Sequence, residues 1–243
     1  MLLQNDDTIT AIASGLSNSG ISVIRISGPD AIAKADKIFY TKSGSSLMNA
    51  DTHTVYYGMI MDGDEFVDEV LLLVLRAPRT YTREDVIEID CHGGALVTQR
   101  VLETILKQGV RLAEPGEFTK RAFLSGRIDL SQAEGVMDLI DASNRLAMKH
   151  SAGQVRGSLK DKMTELRTII LDDVSFIEAA LDDPEHIDVD EYRETLEMHI
   201  AQVLQDLTKL IEGFHNGRLI KEGINTVILG KPNAGKSTLL NLF

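Results

Sequence analysis

The chain predicts an α+β N-terminal domain, then a helical-bundle domain, then the start of a phosphate-loop α/β domain at its C-terminal end. Three observations carry that prediction. Strand-length apolar runs punctuated by turn residues fill Thr8 to Leu112, helical periodicity takes over from Glu117, and Gly230-Lys231-Pro232-Asn233-Ala234-Gly235-Lys236-Ser237 is a full match to G-x-x-x-x-G-K-[ST]. The 243 residues, 43% hydrophobic and 26% charged, have the composition of one or two domains with real cores.

Thr8 to Ala13 and Ile21 to Ile26 are predicted strands, joined by the small, polar Ser14 to Gly20. A helix begins at Gly28-Pro29-Asp30, where proline suits the first turn, and places Ile32, Ala35, Ile38 and Phe39 on one face. Val55 to Met61 and Phe66 to Leu75 form a hairpin about Asp62-Gly63-Asp64-Glu65, because Asp-Gly adopts positive φ readily. Asp85 to Asp90 alternates with period two, and Leu96 to Leu106 has helical spacing. The result is a small mixed α/β layer domain.

From Glu117 onward the pattern is helical. Ser131-Gln132-Ala133-Glu134 has the form of a capping box. Leu159, Met163, Leu166, Ile170, Val174 and Ile177 define one amphipathic helix; Leu196, Ile200, Val203, Leu207, Leu210 and Phe214 define a second. Asp182-Asp183-Pro184-Glu185-His186 breaks the chain between them, so the pair forms an antiparallel hairpin that Gly217 closes.

The phosphate-loop motif needs a strand before it and a helix after it; Ile224 to Leu229 and Thr238 to Leu242 supply candidates. In that setting the glycines let backbone N–H groups curl around phosphates, Lys236 reaches the terminal phosphates, and the Ser237 hydroxyl becomes a Mg²⁺ ligand. Only Thr238 to Phe243 follow the motif, whereas a nucleotide-binding α/β domain needs on the order of a hundred residues. The expectation is a fragment carrying the front edge of such a domain, with little nucleotide hydrolysis of its own.

Twenty-five basic against 37 acidic residues leave a net charge of −12, which argues against long-range attraction to nucleic acid and leaves any RNA contact local or made by a partner. A single cysteine, Cys91, precludes an internal disulfide, suggests a reducing compartment and is expected to be a buried structural thiol. The six histidines lack metal-ligand spacing, and His92 before Gly93-Gly94 either caps a turn or touches a ligand. The N-terminus lacks a signal-peptide pattern, and Val70 to Leu75, the longest apolar run, is too short to span a bilayer, so no membrane partner and a cytoplasmic location are expected.

Arg25 and Glu88 lie in strands whose alternation places Val23, Arg25 and Ser27 on one face and Val86, Glu88 and Asp90 on another. Taken alone, each is a solvated strand-face charge, and Arg127 is a surface arginine.

Asp7-Thr8-Ile9, Val23 to Gly28, Tyr81 to Val86, His92-Gly93-Gly94, Pro115 to Phe118, Arg121 to Leu124, Asp129 to Glu134 and Gly230 to Leu240, taken together and in this order, resemble the bacterial and organellar tRNA-modification GTPase family called MnmE or TrmE. The resemblance implies a tetrahydrofolate-binding and dimerisation domain over residues 1–116, the first part of a helical domain over 117–218, and the start of a Ras-like G domain over 219–243. It implies a GTP-hydrolysing homodimer that works with a flavoprotein partner, MnmG, and meets tRNA mainly through that complex. The implied reaction puts an aminomethyl-type group on C5 of the wobble uridine, drawing one carbon from a formyl- or methylene-tetrahydrofolate.

On the same implication Asn233, Ala234, Gly235, Lys236, Ser237 and Thr238 hold the nucleotide, Lys236 is catalytic, Ser237 binds Mg²⁺, Asn233 helps to hold K⁺, and Arg25, Glu88 and Arg127 hold the folate. The chain departs from the family pattern at Ser14-Gly15, where Thr-Pro is usual, at Arg83, where the T-G-E-D stretch has glycine, and in lacking the family's C-terminal Cys-x-Gly-Lys. Two other readings stay open: a folate-sensing dimerisation module, and another regulatory GTPase with an unrelated N-terminal extension.

Overall fold

The computed structural model describes residues 7–15, 19–42, 44–183, 189–222, 227–231 and 234–241. The chain forms two compact units, Met1–Ala133 and Glu134–Phe243.

The first unit is built on one sheet of seven strands: β1 (Ile9–Ile12), β2 (Ile21–Ser27), β3 (Phe39–Tyr40), β4 (Thr54–Asp62), β5 (Glu65–Leu75), β6 (Val86–His92) and β7 (Arg111–Leu112), in the order β3-β4-β5-β6-β2-β1-β7. Every neighbouring pair is antiparallel except β1 with β7. Strand alternation sends Ile24, Ile26, Val70, Leu72, Val74, Ile87, Ile89 and Cys91 into one core with α1 (Ala31–Asp36) and α2 (Ala95–Leu106), whose Ile32, Ala35, Val101 and Ile105 are also buried. Each such large side chain contributes roughly 1.5–3 kcal/mol of burial. Cys91 is therefore a core thiol, and burial pushes its pKa up.

Two local features fix this sheet. Gly63, at φ 63°, makes the two-residue turn between the paired Asp62 and Glu65, as the Asp-Gly step predicts. Gly28 sits at φ 139° where an added Cβ would lie 2.6 Å from Thr8 Cα, so only glycine lets the end of β2 pass the start of β1. The first predicted helix is shorter than its apolar spacing suggests. It ends at Asp36, and Phe39 opens β3 opposite Ile60. The Ile38 carbonyl accepts from Met61 N at 2.9 Å, so the edge of β4 captures a backbone group that a longer helix would need. Ile38 and Phe39 remain in the core all the same.

A buried cation ties the ends of this unit together. Arg121, on α3 (Glu117–Leu124), has a side chain 1% exposed. Its guanidinium donates to the Asp7 carbonyl at 2.9 Å, Asp7 Oδ1 at 2.6 Å, Glu117 Oε1 at 3.1 Å and both oxygens of Glu84 at 3.1 and 3.2 Å. Arg111 bridges the same Asp7 and Glu117 at 2.7 and 2.6 Å.

The second unit is helical. α4 (Leu130–Ile140) starts one residue before the predicted capping box, and its cap is Asp129: Asp129 Oδ1 accepts from Gln132 N at 2.9 Å, and Gln132 Oε1 accepts from Asp129 N at 3.1 Å. That is the reciprocal bonding of a capping box, moved two residues upstream because Asp129, not Ser131, stands outside the helix.

α5 (Arg145–Val155), α6 (Ser158–Asp182) and α7 (Val189–Glu222) follow. Lys162 pairs with Asp206 at 2.9 Å, and Tyr192 Oη and His199 Nδ1 meet Asp173 Oδ1 at 2.6 and 2.8 Å, so α6 and α7 run antiparallel as expected. Burial pushes the Asp173 carboxyl up, but its bonds to Tyr192 and His199 more than offset this and hold it below the ordinary value.

Two predictions for this region are corrected. On α6 the buried line is Leu166, Asp173 and Ala180, spaced by seven, while Ile170 and Val174 are 48% and 43% exposed; a two-helix seam is narrower than the apolar stripe. Gly217 does not close α7, which continues to Glu222, because an interior glycine costs only about 1 kcal/mol against the backbone bonds on either side. The predicted break at Asp182 to His186 is seen in part: α6 ends at Asp182, and residues 184–188 lie outside the described ones. Among the described residues no helix is long and apolar enough to cross a membrane.

The hydrogen bond from Arg111, followed by contributions from Glu114 N and Arg121, carries Glu117 from 4.5 down to about 2. A depressed carboxylate stabilises the fold above its unfolded pKa and loses that contribution as pH falls through its folded one, here between about 4.5 and about 2, worth about 3 kcal/mol. Arg121→Met is expected to cost about 3–5 kcal/mol at neutral pH, by leaving three carboxylates around an apolar side chain, and Arg111→Met, which removes the main cause of the Glu117 shift, is expected to flatten this acid limb. Denaturant midpoints measured for the parent and each variant from pH 7 to pH 3 check both, and an unchanged limb in Arg111→Met contradicts the assignment.

Candidate functional site

The face of the sheet opposite α1 and α2 carries the charges. Antiparallel register sets Arg25 directly opposite Glu88, Val23 opposite Asp90 and Ser27 opposite Val86. The two sets expected on separate faces thus share one face, since paired residues project to the same side of a sheet. Arg25 Nε donates to Glu88 Oε1 at 2.7 Å and Nη2 lies 2.6 Å from the same oxygen, in a half-buried pair. Burial, reinforced by the Glu88 charge, pushes the neighbouring Asp90 carboxyl up.

Aromatic rings bound this pair. The Arg25 guanidinium lies 5.8 Å from the centroid of Tyr81 and 5.5 Å from that of Phe118, and the Arg127 guanidinium lies 4.7 Å from Tyr81. Each element is held locally. Thr82 Oγ1 and Glu84 both bond Ser27 Oγ at 2.7 Å, Thr80 Oγ1 donates to Glu84 O, and the Glu84 carboxylate is gripped by Arg121, which together pin the loop bearing Tyr81. Phe118 lies on α3 beside Glu117. Arg127 is placed by the end of that helix: Gly126 at φ 72° lets Gly126 N reach Phe123 O and Arg127 N reach Ala122 O, a Schellman closure. The three residues named for a folate are therefore brought to one place, around Tyr81. Tyr81 and Phe118 were missed by sequence reasoning, although both stand inside the motif stretches.

Beside Tyr81 opens a cleft of about 460 Å³ lined by His53, Leu75, Pro78, Arg79, Thr80, Tyr81, Arg83 and Arg127. Arg83 has φ 61° and donates through Nη1 to Ser125 O at 3.0 Å. His92 stands apart: its backbone N and Nδ1 bond the two oxygens of Asp68 at 2.8 and 2.7 Å, which makes it a turn-holding residue.

At the other end of the chain, Gly235 at φ 80° precedes α8 (Lys236–Leu240), and Lys236 Nζ donates to Gly230 O and Lys231 O at 2.8 and 2.7 Å. Ala234, Ser237 and Thr238 flank that turn and are exposed. Asn233 lies outside the described residues, as do Ile224 to Thr226 of the predicted preceding strand. Val227 to Gly230 are described and make no strand pairing, since a strand requires a partner and none is present among the described residues of this unit. Among the described residues no cluster of three or more His, Cys, Asp or Glu could hold a metal ion.

Residues 8–127 match the family model for the GTP-binding protein TrmE N-terminus, and residues 130–238 match that for the MnmE helical domain. Over 237 residues the chain is 58% identical to the tRNA modification GTPase MnmE of Lachnoclostridium phytofermentans. Over 238 residues it is 47% and 48% identical to the proteins of the same name from Carboxydothermus hydrogenoformans and Bacillus subtilis. Each comparison covers 97% of this chain and 52% of the relative, so the chain spans about half the length of these curated relatives.

Arg83 generates a test of local strain. A side chain at φ 61° carries a penalty of about 1 kcal/mol that glycine avoids. Arg83→Ala loses the bond to Ser125 and keeps the strain, so it is expected to be less stable than Arg83→Gly by about 1 kcal/mol. Urea unfolding of the two variants side by side checks this; equal midpoints would remove the strain from the account.

Proposed function

The chain belongs to the TrmE/MnmE family, and on that premise we propose that it serves in tRNA modification by a GTPase that draws a one-carbon unit from a tetrahydrofolate. Residues 1–116, joined at the site by Phe118 and Arg127 from the segment that follows, are assigned to folate binding and homodimerisation, 117–218 to the first part of the helical domain, and 219–243 to the opening of the G domain. The partner is the flavoprotein MnmG, the target is C5 of a wobble uridine, tRNA is met mainly through the complex, and the location is the cytoplasm.

One observation carries the folate half of this reading: Arg25, Glu88 and Arg127 converge on Tyr81 from β2, β6 and the end of α3. A pterin offers an exocyclic amine beside a ring N–H, a donor pair suited to one carboxylate, and Glu88 presents its carboxylate half-buried with Arg25 fixing its orientation. Tyr81 and Phe118 offer aromatic surface to flat rings, and Arg127 offers charge to the glutamate carboxylates of the tail. A bound tetrahydrofolate would supply the transferable carbon; the residues here bind and orient it.

The nucleotide half rests on the phosphate-loop motif. Gly235 and Ala234 present backbone, Lys236 offers its ammonium to the terminal phosphates of GTP, Ser237 offers its hydroxyl to Mg²⁺, and Thr238 follows on the first turn of α8. Asn233 is assigned to K⁺ by the family pattern.

The experiment is a calorimetric titration of parent and Glu88→Ala with formyl-tetrahydrofolate, and with GDP and Mg²⁺ as control. Loss of the carboxylate leaves ligand donors unpaired at about 1–3 kcal/mol, so folate affinity is expected to fall about five- to a hundred-fold while nucleotide affinity stays unchanged. Unaltered folate affinity would leave Glu88 as the ion-pair partner of Arg25 alone and remove the site.

A further inference from the structure

The cleft beside Tyr81 carries an excess of positive charge that no carboxylate among its lining residues offsets. In a chain of net charge −12, none of the cleft-lining residues is acidic, while Arg79, Arg83 and Arg127 all line it. Elsewhere in this unit Arg25, Arg100, Arg111 and Arg121 are each paired with carboxylates. Among the described residues Arg79 and Arg127 have no carboxylate partner, and Arg83 bonds only the Ser125 carbonyl oxygen. Three guanidinium groups around one concavity, unneutralised by the protein, raise the local concentration of polyanions.

The position of this cleft narrows the ligand class. Tyr81, which lines it, lies 5.8 Å from the Arg25 guanidinium and 4.7 Å from that of Arg127, so a ligand seated at the Arg25–Glu88 pair would have this cleft beside it. Its volume of about 460 Å³ lies in the range of small-molecule sites, roughly 300–1,000 Å³. Arginine forks match carboxylates in geometry as well as in charge. Arg83 moreover stands at φ 61°, where the family pattern has glycine, so backbone strain is spent to put a cation at the rim.

We propose that this cleft binds the chain of γ-linked glutamates carried by polyglutamylated folates, and that Arg83 and Arg79 make the protein prefer those forms over monoglutamyl folate. The proposal rests on the folate reading given above and adds tail-length selectivity to it. Each exposed carboxylate–arginine contact multiplies affinity by about one and a half to five, so two added glutamates raise it about two- to twenty-five-fold at moderate salt.

The test is calorimetric titration of the chain with mono- and triglutamyl formyl-tetrahydrofolate, repeated for Arg83→Gly, which relieves rather than adds strain, and for Arg79→Ala with Arg83→Gly. The triglutamyl form is expected to bind about two- to twenty-five-fold tighter at 0.1 M salt. That ratio should fall about threefold in Arg83→Gly, and should approach one in the double variant and in about 1 M salt, where the screening length is about 3 Å. Equal affinities for the two forms in the parent overturn the proposal while leaving the folate site standing, and binding of neither form overturns both. Equal affinities together with weaker binding of a short RNA by the double variant would assign the arginines to nucleic acid instead.

Discussion

The part of the first unit around the Arg25–Glu88 pair hangs on one buried guanidinium. Arg121 gathers Asp7 from the N-terminal segment, Glu84 from the loop after β5 and Glu117 from its own helix. Burying a cation this completely is costly unless every partner is in place, so the three segments are held together or not at all. What the arrangement stabilises is position. Glu84 adjoins Arg83 in the loop that bears Tyr81, Glu117 adjoins Phe118, and the helix that carries Arg121 ends in the turn that presents Arg127. Every group around the Arg25–Glu88 pair thus answers to the same ion cluster, and a change at Arg121 reaches the site without touching it.

Much of the first unit was legible in the sequence because its signals are local. Gly63 between two alternating runs marked a tight hairpin, whose turn residues are Gly63 and Asp64, and β6 and α2 announce themselves by periods of two and of three to four. The site was legible only in pieces. Arg25, Glu88 and Arg127 could be named, but that two of them form an ion pair depends on the register of β2 against β6, which is set by residues sixty apart. Arg121 illustrates the same limit: its motif stretch was visible, yet nothing local in Arg121 to Leu124 says that the arginine faces inward. Arg83 is the reverse case, a departure from a glycine whose meaning needs a backbone angle.

In the helical unit the misses are instructive for a different reason. The stripe from Leu159 to Ile177 predicted a wide apolar face, while the contact with α7 buries a narrow line that includes a carboxylate, Asp173, satisfied by Tyr192 and His199. Periodicity counts apolar residues and cannot count how many neighbours arrive to cover them. Gly217 misled because its stop signal is a conformational option, exercised only where the chain gains by turning.

The parallel pairing of β1 with β7 has a consequence in time. Asp7 and Arg121 are 114 residues apart, so during synthesis the first strand waits for its outer neighbour and its clamp. At translation rates of about 5–20 residues per second that interval is about 6–23 s. The β4–β5 hairpin needs no such wait, and forms in microseconds once its residues are free. The nascent chain therefore carries a finished hairpin for most of its emergence while β1 lacks its outer neighbour, and the loop that bears Tyr81 lacks the grip of Arg121 on Glu84. On the ribosome, the last strand of the sheet and the arginine that holds the Tyr81 loop emerge within about ten residues of each other, so the sheet and that loop are completed almost together.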